Sequence, residues 1–114
     1  MLKINNVTVK SPSEFQVEIL DLDGETHRNA KGELNRDRIA VKRKLNCKWP
    51  PLTQSEVSTI LNAVKDIFFS VEYWDPLIGK TTKTFYVGDR QMPMLFMRDG
   101  QPIWEGLTMN FIEK

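Results

Sequence analysis

Residues Arg36–Trp49 read RDRIAVKRKLNCKW. Ile39, Val41, Leu45, Cys47 and Trp49 share one parity, and Ala40, Lys42, Lys44, Asn46 and Lys48 share the other. Successive side chains of a strand point to opposite faces, so this alternation predicts a long, half-buried strand. Arg43 alone interrupts the apolar face. Pro50-Pro51 ends the strand, because neither residue can donate to a ladder. The period then changes. Thr53-Gln54-Ser55-Glu56 has the form of a capping box, in which the Thr hydroxyl accepts from a first-turn amide and the Glu reaches back. Val57, Ile60, Leu61, Val64 and Phe68 follow at helical spacing and predict one helix over about residues 53–67.

Upstream, LKINNVTV pairs two short apolar alternations around Asn5-Asn6, a dipeptide that tolerates the positive φ of a tight hairpin turn. Phe15, Val17 and Ile19 alternate as a further strand. Residues 21–36, DLDGETHRNAKGELNR, carry few large apolar side chains and many charges. They predict a long loop or the tip of a hairpin, an arm spanning about residues 21–38. Downstream, Phe69, Val71 and Tyr73 alternate, Asp75-Pro76-Leu77-Ile78-Gly79 reads as a turn, and Thr82–Val87 as the return strand. Met92–Arg98 follows, with Pro93 placing its start at a sheet edge. Asp99-Gly100 favours a tight turn. A last strand is expected over Ile103–Ile112, with Ile103, Leu107, Met109 and Phe111 on one face and Glu105 as the exception. The sum is a mainly β fold with one α-helix (α+β): about seven or eight antiparallel strands in a β-sandwich or barrel, flanked by the helix.

The 114 residues allow one domain, 1–114. Sixteen Lys and Arg against fifteen Asp and Glu give a net charge of +1, which argues against nucleic-acid binding through bulk charge. The short apolar runs predict no membrane span, and the N-terminus lacks the apolar core of a signal peptide. One Cys excludes an internal disulfide, and one Cys with one His cannot build the usual zinc sites. No phosphate-binding, dinucleotide, zinc-protease or nucleophile-elbow motif occurs. The chemistry therefore predicts a soluble, non-catalytic protein with no cofactor and no small-molecule ligand.

Charge is nevertheless segregated. Residues 24–48 hold eight cations against three anions, net +5, which leaves −4 for the rest. One reading is a solvated sheet face whose Lys residues also guard an edge. Others are contact with an acidic protein neighbour, or with a phosphate backbone. His27 lies in the polar segment without a nucleophile nearby and reads as a surface histidine. Cys47 has inward parity and reads as a buried, inert thiol. Asp21 and Asp23 lack the further oxygen ligands of a calcium loop. Trp49 reads as core. Trp74 and Trp104 carry the parity opposite to their strands' apolar faces, which suits a second packed face or a subunit interface, and the same holds for Tyr86, Leu95, Met97 and Ile112.

Read in order, LKINNVTV, RDRIAVKRKLNCKW, LTQSEVSTILNAV, FFSVEYWDPLIGK, TFYVGDR and MNFIEK resemble a family of small structural proteins encoded among the tail genes of siphophages and prophages of Gram-positive bacteria. The order strand, long loop, strand, helix, β is also similar to the phage tail-tube fold, shared by tail-tube subunits and the first domain of distal tail proteins. That resemblance implies a non-enzymatic virion component, made in the host cytoplasm. It would form or join rings, usually sixfold, at the tail tube or tail tip. Its partners would be copies of itself and neighbouring tail proteins, and DNA would pass through the channel without specific binding. The expected assembly interface comprises Arg28, Lys31, Arg36, Arg38, Lys42, Lys44, Lys48, Trp74 and Trp104. The strongly basic strand departs from the acidic or neutral lumen common in such tubes, so its polar face is expected to meet an acidic neighbour. A head–tail connector or tail-terminator ring is the alternative within the class, and a small nucleic-acid-binding module using strand 36–48 is the alternative outside it.

Overall fold

A computed structural model describes the backbone of residues 2–28 and 34–114, and the side chains of these residues other than 22–28 and 34–39. In chain order the elements are β1 (Lys3–Ile4), β2 (Val7–Thr8), β3 (Glu14–Arg28), β4 (Leu34–Lys48), β5 (Leu52–Thr53), α1 (Gln54–Ala63), β6 (Phe69–Asp75), β7 (Gly79–Val87), β8 (Met94–Arg98), β9 (Gln101–Trp104) and β10 (Thr108–Glu113). Seven strands form one sheet in the order β2-β1-β6-β7-β10-β4-β3, and three form a second, β5-β9-β8. Every pairing is antiparallel. The protein is thus mainly β with a single helix among the described residues, as the alternation predicts. The strand count exceeds the expected seven or eight because three of the ten strands have only two residues.

The large sheet curls on itself. Arg43 of β4 is hydrogen-bonded to Asp75 of β6, and the Phe15 ring of β3 lies 6.3 Å from that of Tyr73 on β6, although three strands separate β3 from β6 in the sheet. The inward side chains Ile4, Leu45, Val71, Tyr73, Phe85, Met109 and Phe111 fill the curl. Phe69 meets Phe111 edge-on, and Tyr73 meets Phe85 likewise, the geometry that aromatic quadrupoles favour. The helix packs Val57, Ile60 and Ala63 into the same core, and Val64 at its C-cap joins them.

The turns follow the local chemistry. Asn5 and Asn6 both have positive φ, 49° and 64°, and Asp99-Gly100 likewise, at 50° and 78°. The capping box is complete: Glu56 N–H donates to Thr53 Oγ1 at 3.3 Å and Thr53 N–H to Glu56 Oε1 at 3.0 Å.

Two expectations are corrected. The helix ends at Ala63 rather than near residue 67, because distant side chains take its last carbonyls: Asn5 Nδ2 donates to Ala63 O at 3.4 Å and Arg90 Nη1 to Val64 O at 3.2 Å. Phe68 therefore leaves the helical face and is exposed. The last strand divides in two, β9 in the small sheet and β10 in the large one. Gly106 makes the crossing at φ +143°, where an added Cβ would sit 2.7 Å from the Trp49 carbonyl oxygen. Only glycine allows that approach. Of the loop and the hairpin expected over residues 21–38, the described residues follow the hairpin, since 21–28 and 34–38 are paired strand. β3 and β4 stay paired from Glu14↔Lys48 to Arg28↔Leu34, through two register shifts that cancel. The polar segment is a two-stranded arm, and the molecule measures 70 × 25 × 24 Å.

Candidate assembly surface

The arm begins where the core ends, and Arg43 marks the boundary. Its inward parity would leave a buried guanidinium unpaired, a costly arrangement. Asp75, at the end of β6, supplies the partner. Arg43 Nε donates to Asp75 Oδ1 at 2.6 Å and Nη2 to Oδ2 at 3.4 Å, with both side chains buried. Tyr73 Oη donates to Asp75 Oδ1 at 3.2 Å, and the amides of Leu77 and Ile78 donate to Oδ2 at 2.9 and 3.2 Å. The Arg43 amide, past the end of the β4–β10 ladder, donates to Glu113 Oε1 at 2.8 Å. One carboxylate therefore neutralises the arginine, holds a tyrosine and caps the β6–β7 turn. The guanidinium hydrogen bond holds the Asp75 carboxyl down at about 2, against the opposing effect of burial. Burial, followed by the Asp75 charge, pushes the Tyr73 phenol up.

This cluster pins the β6–β7 turn to the base of the arm. Beyond it the inward parity continues without a core to enter. Ile19 and Val41 are exposed there, as are Leu77 and Ile78 in the turn, Leu77 at 70%. Val41 was expected on the buried face; it lies one step past the point where the curl closes.

The basic strand is less isolated than its sequence suggests. Register places Glu18 opposite Lys44 and Glu14 opposite Lys48. Glu18 Oε2 also accepts from Asn46 Nδ2 at 2.6 Å. Lys42 Nζ donates to the main-chain oxygen of Lys114. The nearest acidic neighbour of this face is thus the chain's own β3. Lys48 is exposed, while Lys42 and Lys44 are half-buried. The side chains of Arg28, Arg36 and Arg38, and the whole of Lys31, lie outside the described residues, as does the His27 side chain.

The two tryptophans part company. Trp74 is 62% exposed on the outer face of β6. Trp104 is half-buried against the core, and its Nε1 donates to Gln54 Oε1 at 3.0 Å, so much of it is covered by the helix of its own chain. Trp49 is core, its Nε1 donating to Lys10 O at 2.6 Å. Cys47 is buried as expected, and burial pushes its thiol up to about 12.

One further surface combines an expected half with an unexpected one. β8 is an edge of the small sheet, and Met94, Leu95, Phe96 and Met97 are all exposed there, on both parities. The exposure of Leu95 and Met97 agrees with their outward parity, whereas Met94 and Phe96, on the other parity, are exposed because the small sheet leaves both faces of its edge strand open.

Two grooves of about 480 Å³ flank the small sheet. In one, the polar groups Lys10, Thr53 and Glu56 are engaged in the helix cap and in a 3.3 Å ion pair between Lys10 and Glu56. The other carries Lys48, Asp89 and Glu105 around Trp49 and Gly106. Among the described residues no group of three or more His, Cys, Asp or Glu side chains is placed to hold a metal ion. No described helix is long and apolar enough to cross a membrane.

Comparison with the curated proteins and with the solved structures yields no match. A family model does match, along the whole of residues 1–114. The chain belongs to that family, a family of unknown function designated DUF6711.

Proposed function

We propose that the chain is a non-enzymatic structural subunit of a bacteriophage or prophage tail, which forms or joins rings around the DNA channel at the tail tube or tail tip. The observation that carries the reading is the arm, a ribbon of two paired 15-residue strands that runs past the end of a small curled sheet with one flanking helix. A two-stranded ribbon is marginal in water by itself and gains stability when a neighbour covers it. Such an arm suits contact between subunits better than it suits catalysis. The sequence resemblance to siphophage tail proteins and to the tail-tube fold supplies the particle. The partners are then copies of the chain and adjacent tail proteins, and the site of action is the virion.

The nucleic-acid alternative loses support from the placement of Glu14 and Glu18 opposite Lys48 and Lys44, which offsets the basic strip. Light scattering of the purified chain over a wide concentration range, at low and high salt, combined with negative-stain microscopy, tests the reading. Discrete rings with a central channel are expected as concentration rises. A monomer under every condition overturns it.

A further inference from the structure

Two apolar surfaces lie without cover, one at the middle of β4 and one near its C-terminal end. One is the arm base, with Ile19, Val41, Leu77 and Ile78 exposed around the Arg43–Asp75 pair. The other is β8, with Met94, Leu95, Phe96 and Met97 exposed, beside the Trp49 end of β4. The eight steps from Val41 to Trp49 span about 26 Å at strand rise. Neither surface can therefore cover the other within one chain.

The backbone edges divide in the same way. β3 is one edge of the large sheet and β8 is an edge of the small one, so each presents a row of amides and carbonyls with no neighbouring strand. The other terminal strands of the two sheets, β2 and β5, have only two residues each, and β4 is open on its outer side where it runs past β10 into the arm. Pairing β3 with β3 of a second copy is disfavoured, because the charges on its described side chains are all acidic: Glu14, Glu18 and Asp21. The single charge on β8 is Arg98. Edge, apolar content and charge are complementary between β3 and β8, and not between β3 and itself.

We propose that β8 of one copy docks along the free edge of β3 at the arm base of the next copy, covering Ile19, Val41, Leu77 and Ile78. The contact is head-to-tail, so it repeats around a closed ring if its rotation closes and along a filament if it does not. It rests on the ring reading above and names the surfaces through which the ring forms.

Cysteine cross-linking of the full chain tests it, because buried Cys47 does not compete. Leu77→Cys, Met97→Cys and the double variant are first checked for wild-type circular dichroism and melting, then oxidised at concentrations where the wild type assembles. The expected result is a ladder of covalent oligomers from the double variant, a dimer from a mixture of the two single variants, and monomer from either single variant alone. Assembled protein that cross-links through Met97→Cys alone, or that gives no ladder from the double variant, overturns this contact and leaves the ring reading standing. Protein that stays monomeric in light scattering and gives no ladder overturns both.

Discussion

Replacing Arg43 by Met should cost far more stability than its place in a basic run of sequence would suggest. The guanidinium and the Asp75 carboxylate are both buried, with Nε and Oδ1 2.6 Å apart. Taking the charge centres as about 4 Å apart and an effective dielectric of about 20, their attraction is about 4 kcal/mol. Removing one partner leaves the other charge buried and alone, which typically costs about 3–5 kcal/mol. A domain of this size has a total stability of about 5–15 kcal/mol, so Arg43→Met alone removes a large share of it. Asp75→Asn should cost a similar amount: the Asn oxygen can still accept from the Leu77 and Ile78 amides, but Arg43 loses its counter-charge. The double variant, Arg43→Met with Asp75→Asn, has no unpaired charge and keeps the turn cap. Its loss should fall at least about 2 kcal/mol short of the sum of the two single losses, since directly bonded groups couple at that scale. Urea unfolding of the four proteins, followed by circular dichroism, measures the cycle. Single losses below about 1 kcal/mol, or strictly additive ones, would refute the assignment of this pair as the bond that closes the curl.

The same pair sets an acid limit. Asp75 titrates at about 2 in the folded protein and near 4 when unfolded, so its contribution of about 2 kcal/mol is complete above about pH 4 and is lost as pH falls through 2. Urea titrations from pH 6 to pH 2 should show the gap between wild type and Asp75→Asn narrowing only in that window. Gly106→Ala should destabilise by about 2 kcal/mol or more and lower the melting temperature by roughly 8 °C, because the new methyl group meets the Trp49 carbonyl in a backbone conformation that strains alanine. Thr53→Ala removes the hydroxyl of the capping box and should cost about 1 kcal/mol in a urea melt, with Ser at the same position restoring most of it. The Cys47 thiol should resist a disulfide reagent in the native protein and react at once in urea; fast reaction of the native protein would contradict its burial.

What the sequence made legible was local. Alternation in 43–49, the capping box at Thr53 and the Asn5-Asn6 and Asp99-Gly100 turns depend on neighbours a few residues away, and they stand in the structure as read. What it hid was non-local. The helix end is decided by Asn5 and Arg90, and the division of the last strand by a carbonyl at Trp49. The charge of the basic strand cannot be weighed without the register that sets Glu14 and Glu18 against it. Arg43 was visible as an anomaly on an apolar face, but its explanation lay 32 positions downstream. The polar composition of residues 21–28 resembled a loop because a ribbon pairs through its backbone, whatever its side chains.

The arm also has a mechanical consequence. β4 is one unbroken strand that serves the arm at one end and lies between β3 and β10 at the other. A load drawn along the arm acts parallel to β4 and across the ladder with β10, from Ile112↔Lys44 to Thr108↔Lys48. Those hydrogen bonds resist in shear, all at once, rather than opening one after another like a zip. The Arg43–Asp75 bond stands at the point where the load enters the core. A pulled arm would therefore hand its force to the whole width of the sheet before any single strand could peel away.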